Sequence, residues 1–287
     1  MGKRIDIQDE LVIERYKELK NLKKVAKSFG VSLRPIYRIL NRNNIELTNR
    51  IYEVNHNFFS TIDTEEKAYW LGFLFADGCV RTGNTGSQLV LKLSVKDLEH
   101  LKKFKKNISS EHKIVFNTNK TKTKKGIISV SENCLIRVSS CEFVNNLINC
   151  GCTPNKTFTI DKPNIEEKYY RHFLRGFYDG DGNFFFSEKT KMSVVTIVCA
   201  SDNFRKFIVD ILQTIPNIGK IHVDDKKYTI KIVNILGIIE FLSYIYDESK
   251  IELTRKKEYY EKYREYRRSI ESDYQWGLCG SYVKTTK

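Results

Sequence analysis

No long hydrophobic run occurs in this sequence. The longest apolar stretch, Ala68–Ala76, falls well short of the roughly 18–20 residues a helix needs to cross a bilayer, which argues against a membrane-spanning class. The N-terminal MGKRIDIQDE carries no apolar signal segment, so export is not expected. Cysteine pairing motifs are missing as well. The seven cysteines (79, 134, 141, 150, 152, 199 and 279) form no CxxC, and the five histidines do not cluster near them. Cys150-Gly-Cys152 lacks the spacing of a structural zinc site. This odd, dispersed set predicts reduced thiols in an intracellular, cytoplasmic protein. Acids are also scarce relative to bases: 35 against 49, a net charge of +14 spread along the chain. Such a field favours a polyanionic partner, and nucleic acid is the commonest one.

The 41% hydrophobic content of the 287 residues is enough for two or three compact units. Residues 1–45 read as a small all-α module. Leu11, Val12, Tyr16 and Leu19 lie at helical spacing, and KKVAKSFGVSLRPIYRIL follows. There Ala26, Gly30 and Ile36 have the spacing of a helix-turn-helix: a small residue at the helix contact, a glycine turn, and an anchor on the second helix. Ser32 is the expected N-cap and Pro35 sits in the first turn, where its missing N–H costs little. Arg34, Tyr37, Arg38 and Arg42 would then be available to DNA. Residues 46–60 read as a polar linker.

Beyond the linker the chain repeats itself. YWLGFLFADGC (Tyr69–Cys79) and HFLRGFYDGDGN (His172–Asn183) are imperfect copies, and their marked aspartates, Asp77 and Asp181, stand 104 residues apart. Asp63-x-x-Glu66 and Asn164-x-x-Glu167 suggest a capping box before each helix. Each copy continues with two strands, a helix, two more strands and a third helix. Gln88–Val95, for example, alternates leucines with Gln88, Lys92 and Ser94. The fold class predicted is α+β: two pseudo-symmetric αββαββα half-domains, over 61–160 and 161–268, with a C-terminal tail at 269–287.

Gly72 and Ala76 in the first copy, and Gly176 and Gly180 in the second, lie one turn apart on one helix face. Two such small-residue stripes allow close backbone contact. That packing would place Asp77 and Asp181 together at two helix C-termini, where partial negative charge and mutual repulsion both disfavour them. A divalent cation between the carboxylates resolves the conflict and supports phosphodiester hydrolysis.

WLGFLFADG (Trp70–Gly78) and LRGFYDGDG (Leu174–Gly182) resemble the two motifs of single-chain LAGLIDADG homing endonucleases, and the resemblance covers about residues 58–268. It implies a site-specific, metal-dependent endonuclease, monomeric and typically intron-encoded, of bacterial, phage or organellar origin. Such an enzyme hydrolyses both strands of a long asymmetric duplex and needs no small-molecule cofactor. Asp77 and Asp181 would bind Mg²⁺ or Mn²⁺, with Ca²⁺ as a non-productive substitute. The carbonyls of Ala76 and Gly180 are implied as further ligands, and Lys156 and Lys256 as the basic residues of the centre, with Lys257 a rival to Lys256. The first motif departs from the pattern by carrying Phe75 where the second has Asp179. The helix-turn-helix lies outside the core family fold, and intein end residues are missing. The resemblance also implies that each sheet reads the major groove. Alternation then offers Arg81, Gln88 and Lys92 in the first half, and Ser187 and Lys189 in the second. A non-cleaving DNA-binding regulator and an intron RNA maturase are the alternatives on the same scaffold.

Overall fold

The computed structural model describes residues 7–45, 52–83, 86–122, 126 and 128–279. The chain forms two compact units, Met1–Tyr52 and Glu53–Lys287.

In the first unit, α1 (Asp9–Leu19), α2 (Leu22–Ser28) and α3 (Leu33–Arg42) close on a core of Val12, Tyr16, Val25, Ala26, Ile36, Ile39 and Leu40. Gly30 turns the chain between α2 and α3 at φ +63°, a left-handed conformation that glycine adopts without a Cβ penalty. Ser32 is the N-cap residue of α3, but its side chain makes no cap hydrogen bond. Arg34, Tyr37 and Arg38 are exposed as expected. Arg42 differs: its guanidinium forks onto the Asp9 carboxylate, which Asn43 also contacts. The pair holds Asp9 below the usual carboxylate range, chiefly through the Arg42 hydrogen bond, so Arg42 closes the module rather than offering an unpaired cation.

The second unit repeats one element order twice. The first half runs α4 (Glu65–Asp77), β1 (Gly78–Arg81), β2 (Gln88–Ser94), α5 (Leu98–Asn107), β3 (Val115–Lys122), β4 (Ile128–Ser139) and α6 (Cys141–Asn149). The second half runs α7 (Tyr170–Asp181), β5 (Gly182–Ser187), β6 (Met192–Val198), α8 (Asp202–Gln213), β7 (Ile221–Asp224), β8 (Thr229–Ile232) and α9 (Ile235–Tyr246). Each half folds as an antiparallel four-stranded sheet, in order β1-β2-β4-β3 and β5-β6-β8-β7. One face of each sheet packs inward: Leu89, Leu91 and Leu93 pair across to Val138, Ile136 and Cys134, and Val195 and Ile197 pair to Ile232 and Ile230.

Four expectations need correction. Thr64, not Asp63, caps α4, accepting from Lys67 N, while Asp63 forms an i,i+4 ion pair with Lys67. No capping box opens α7. Asn164 instead bonds back to Asn149 O and Cys150 O, and a 3₁₀ turn at Glu167–Tyr169 leads into the helix. The stretch read as a polar linker is partly core: Val54, Phe58 and Phe59 are buried, and Phe59 meets the Phe143 ring edge-on. Two adjacent phenylalanines carry enough apolar area to outweigh the asparagines around them. Finally, the supposed tail begins inside a helix, α10 (Thr254–Cys279), and of that tail residues 280–287 lie outside the described residues.

Candidate active site

The two motif helices form the joint between the halves. A Cβ on Gly72 would stand 2.0 Å from Phe173 O, and one on Gly176 would stand 1.9 Å from Tyr69 O. The contact is reciprocal and involves backbone on both sides, as the small-residue stripes require. One turn on, a Cβ at Gly180 would lie 2.3 Å from Ala76 Cβ and 3.4 Å from Asp77 Oδ2. The carboxylate of the first motif therefore lies against the residue that precedes the aspartate of the second.

Both aspartates keep an exposed side, while protein packs round the rest of each carboxylate. Burial raises both above the usual carboxylate range. Asp77 is pushed up to about 6, by burial first and the charge of Asp181 second, while Lys256 and Lys156 pull it down. The lysines occupy equivalent places. Lys156 Nζ donates to Gly78 O, and Lys256 Nζ donates to Gly182 O and, at 2.7 Å, to Tyr178 O. Each thus grips the carbonyl of the residue after its own aspartate. Lys257 points elsewhere, to Ser249 Oγ at 3.1 Å and Glu252 at 3.5 Å. Burial lowers Lys256 to about 8, with Asp179 the largest charge opposing that shift. An ammonium has three donors, so each lysine keeps hydrogen-bonding capacity for an anion. A cleft of about 310 Å³ beside Asp181 is walled by Lys156, Thr157, Phe75, Ala76 and Val198.

Among the described residues, no group of three or more His, Cys, Asp or Glu converges to enclose a metal. The donor set is open: two carboxylates, plus the Ala76 and Gly180 carbonyls in last helical turns whose C=O groups lack intrahelical partners. Hard oxygen donors and two like charges at paired helix ends suit a hard divalent cation whose remaining ligands come from water or substrate.

Asp179 was visible in the sequence only as an extra acid in the second motif. It is fully buried, with Oδ1 accepting from Tyr246 OH (2.6 Å) and Oδ2 from Tyr69 OH (2.8 Å) and Leu253 N (2.7 Å). Its counterpart Phe75 packs on Phe173 and Phe204 instead. The buried Arg175 is fully engaged: its guanidinium donates to Ile251 O, Ile245 O and Glu65. Arg255 forks onto Asp97 of the first half. These groups tie α4, α7 and the start of α10 together.

The strand register also settles the outer faces. Arg81 pairs with Gln88, and Lys92 shares their side of the sheet. Ser187 lies on the outer face of β5, but its hydroxyl accepts from Thr190 N, and Lys189 belongs to the following turn. Arg137, Asn183, Lys231 and His222 stand on outer faces and were overlooked. For Arg137 the signal was present, since it separates the inward Ile136 and Val138.

Residues 168–267 match the LAGLIDADG-like domain. This match covers the second half, from the approach to α7 into α10. Among solved structures, the meganuclease I-SmaMI bound to uncleaveable DNA is 15% identical, over 63% of this chain and 85% of that one, with a TM-score of 0.42. The I-LtrWI LAGLIDADG homing endonuclease bound to target DNA is 15% identical, over 76% and 92%, with a TM-score of 0.46. The N-terminal LAGLIDADG domain of DUF199/WhiA is 16% identical, over 70% and 93%, with a TM-score of 0.41. No curated protein matches the chain.

Proposed function

We propose that this protein is a site-specific endonuclease that hydrolyses both strands of a long asymmetric DNA duplex with Mg²⁺ or Mn²⁺ held at Asp77 and Asp181. One observation carries the reading: Asp77 lies against Gly180, bringing two carboxylates from opposite halves to one place, where the charge of each opposes the other and neither forms an ion pair among the described residues. A pure binder gains nothing from that repulsion.

The bound cation would supply charge neutralisation at the scissile phosphate and acidify an attacking water. The chain's own part is positioning. Asp77 and Asp181 orient the reacting oxygens, and the Ala76 and Gly180 carbonyls complete the protein's oxygen donors. Lys156 and Lys256, anchored by Gly78 O and Gly182 O, aim their remaining donors at charge that develops on the phosphate. The two outer sheet faces hold the duplex, and Arg34, Tyr37 and Arg38 of the helix-turn-helix add contacts to flanking DNA.

Incubation with Mg²⁺ and a library of long duplexes tests the proposal. Cleavage is expected in the parent protein, with Asp77→Asn and Asp181→Asn each slowing it on the order of a hundredfold or more while binding persists. Specific binding by the parent protein without any cleavage would favour the regulator, and intron RNA binding in its place would favour the maturase.

A further inference from the structure

The two sheets share a topology, yet they present different chemistry at equivalent places. Arg81 and Phe185 each stand four residues after the aspartate of their own half (77 to 81, 181 to 185). Both lie on the outer face of the first strand, Arg81 directly opposite Gln88 and Phe185 directly opposite Val194. The next outward row of the second sheet pairs Ser187 with Met192. Phe185 and Met192 are 47% and 63% exposed, so a large apolar surface faces solvent where the first half presents an arginine and an amide. Nearer the aspartates the contrast fades: Asn183, Thr196, Lys231 and His222 form a polar, basic row across the second sheet. The apolar patch is therefore flanked by groups suited to a polyanion.

In the major groove, arginine and glutamine side chains pair bidentately with guanine and adenine, while apolar side chains meet the thymine methyl, the one apolar group exposed on a base edge there. We infer that the two halves read pseudo-symmetric positions of the target oppositely: Arg81 and Gln88 select a purine, and Phe185, Val194 and Met192 select thymine by its methyl group. This rests on the DNA-binding reading above and deepens it, by naming where the target departs from a palindrome and which base chemistry breaks it.

The test uses the full chain and a duplex selected by binding alone, without cleavage. Each thymine is replaced singly by deoxyuridine, which removes only the methyl group. Affinity should fall about fourfold at one or two adjacent positions in one half-site, the value expected for one buried methyl. Phe185→Ala should erase that penalty and leave the other half-site unchanged. Arg81→Ala should relax purine selection at the mirror-related position, by roughly 5- to 150-fold. Phe185 lies on the outer face, away from the packed side, so unaltered urea unfolding is the check that the variant is intact. A flat deoxyuridine scan overturns the inference, as does a penalty that survives Phe185→Ala. Self-association lost on Phe185→Ala, with DNA binding unchanged, would assign the patch to a second copy of the chain. Absence of any selected duplex would refute the DNA-binding reading itself, whereas cleavage without methyl sensitivity would refute only this inference.

Discussion

Replacing Gly176 by alanine opposes two physical effects of different sign. Helix propensity alone favours alanine by about 1 kcal/mol, so an isolated helix would be stabilised. In the folded protein the added methyl would sit 1.9 Å from Tyr69 O and 2.8 Å from Phe73 N. Both are backbone atoms of α4, so no side-chain rotation makes room. Restoring even a tight contact of 3.0 Å requires the helices to part by roughly 1 Å. Overpacking of this kind costs about 1–3 kcal/mol, and more where backbone must shift. The net expectation is a loss of about 2 kcal/mol, with interaction outweighing propensity. Urea denaturation would measure it, with Gly83→Ala as control because a Cβ there meets nothing within 4 Å. Because Asp77 and Asp181 sit at the end of the same joint, a displacement near 1 Å should also slow cleavage by about a hundredfold. An alanine variant as stable as the parent, or more so, would refute the close-packed joint as the reason for these glycines.

Other consequences follow from the buried polar groups. Asp179→Ala leaves Tyr69 OH, Tyr246 OH and Leu253 N without their acceptor, and should cost about 4 kcal/mol in chemical denaturation. Asp179→Asn should cost less, since the amide oxygen still accepts from two donors while its NH₂ donates to Tyr246. Asp77 holds its proton more tightly folded than unfolded. The cation-free protein should therefore lose stability as pH rises from 3.8 to about 6, and thermal melts should show Mg²⁺ stabilising it most above that window. The partial exposure of Asp77 keeps the effect small. Lys256, lowered to about 8, loses its charge as pH passes that value. Cleavage should decline there, Lys256→Arg should extend the alkaline limit, and Lys257→Ala should leave the profile in place.

Much of the fold was legible because its period is local. Alternation in Gln88–Ser94 and the helical stripe of Asp202–Gln213 follow from which side chains must leave water, and the repeated order of elements was readable from those patterns. The glycine stripes also predicted their own contact, since a helix without side chains on one face has few other reasons to pay the entropic cost. Three features were not legible, because each depends on partners distant in sequence. Phe58 and Phe59 looked like part of a polar connector, but Phe59 packs on the distant Phe143 and Phe58 packs on Phe59. Arg42 looked available until Asp9 came within reach. Asp179 and Phe75 hold equivalent motif positions, yet one anchors a hydrogen-bond cluster and the other an aromatic one, and only the different neighbours of the two halves decide which. Sequence alone determined that two like helices end in acids, because small residues and carboxylates are marked by type and spacing. Tertiary structure decided that Lys256 rather than Lys257 faces the centre, and that Arg81 and Phe185 stand at matched places. Helix phase and strand register are set by packing across the whole domain, and a shift of one residue in either turns a side chain to a different face.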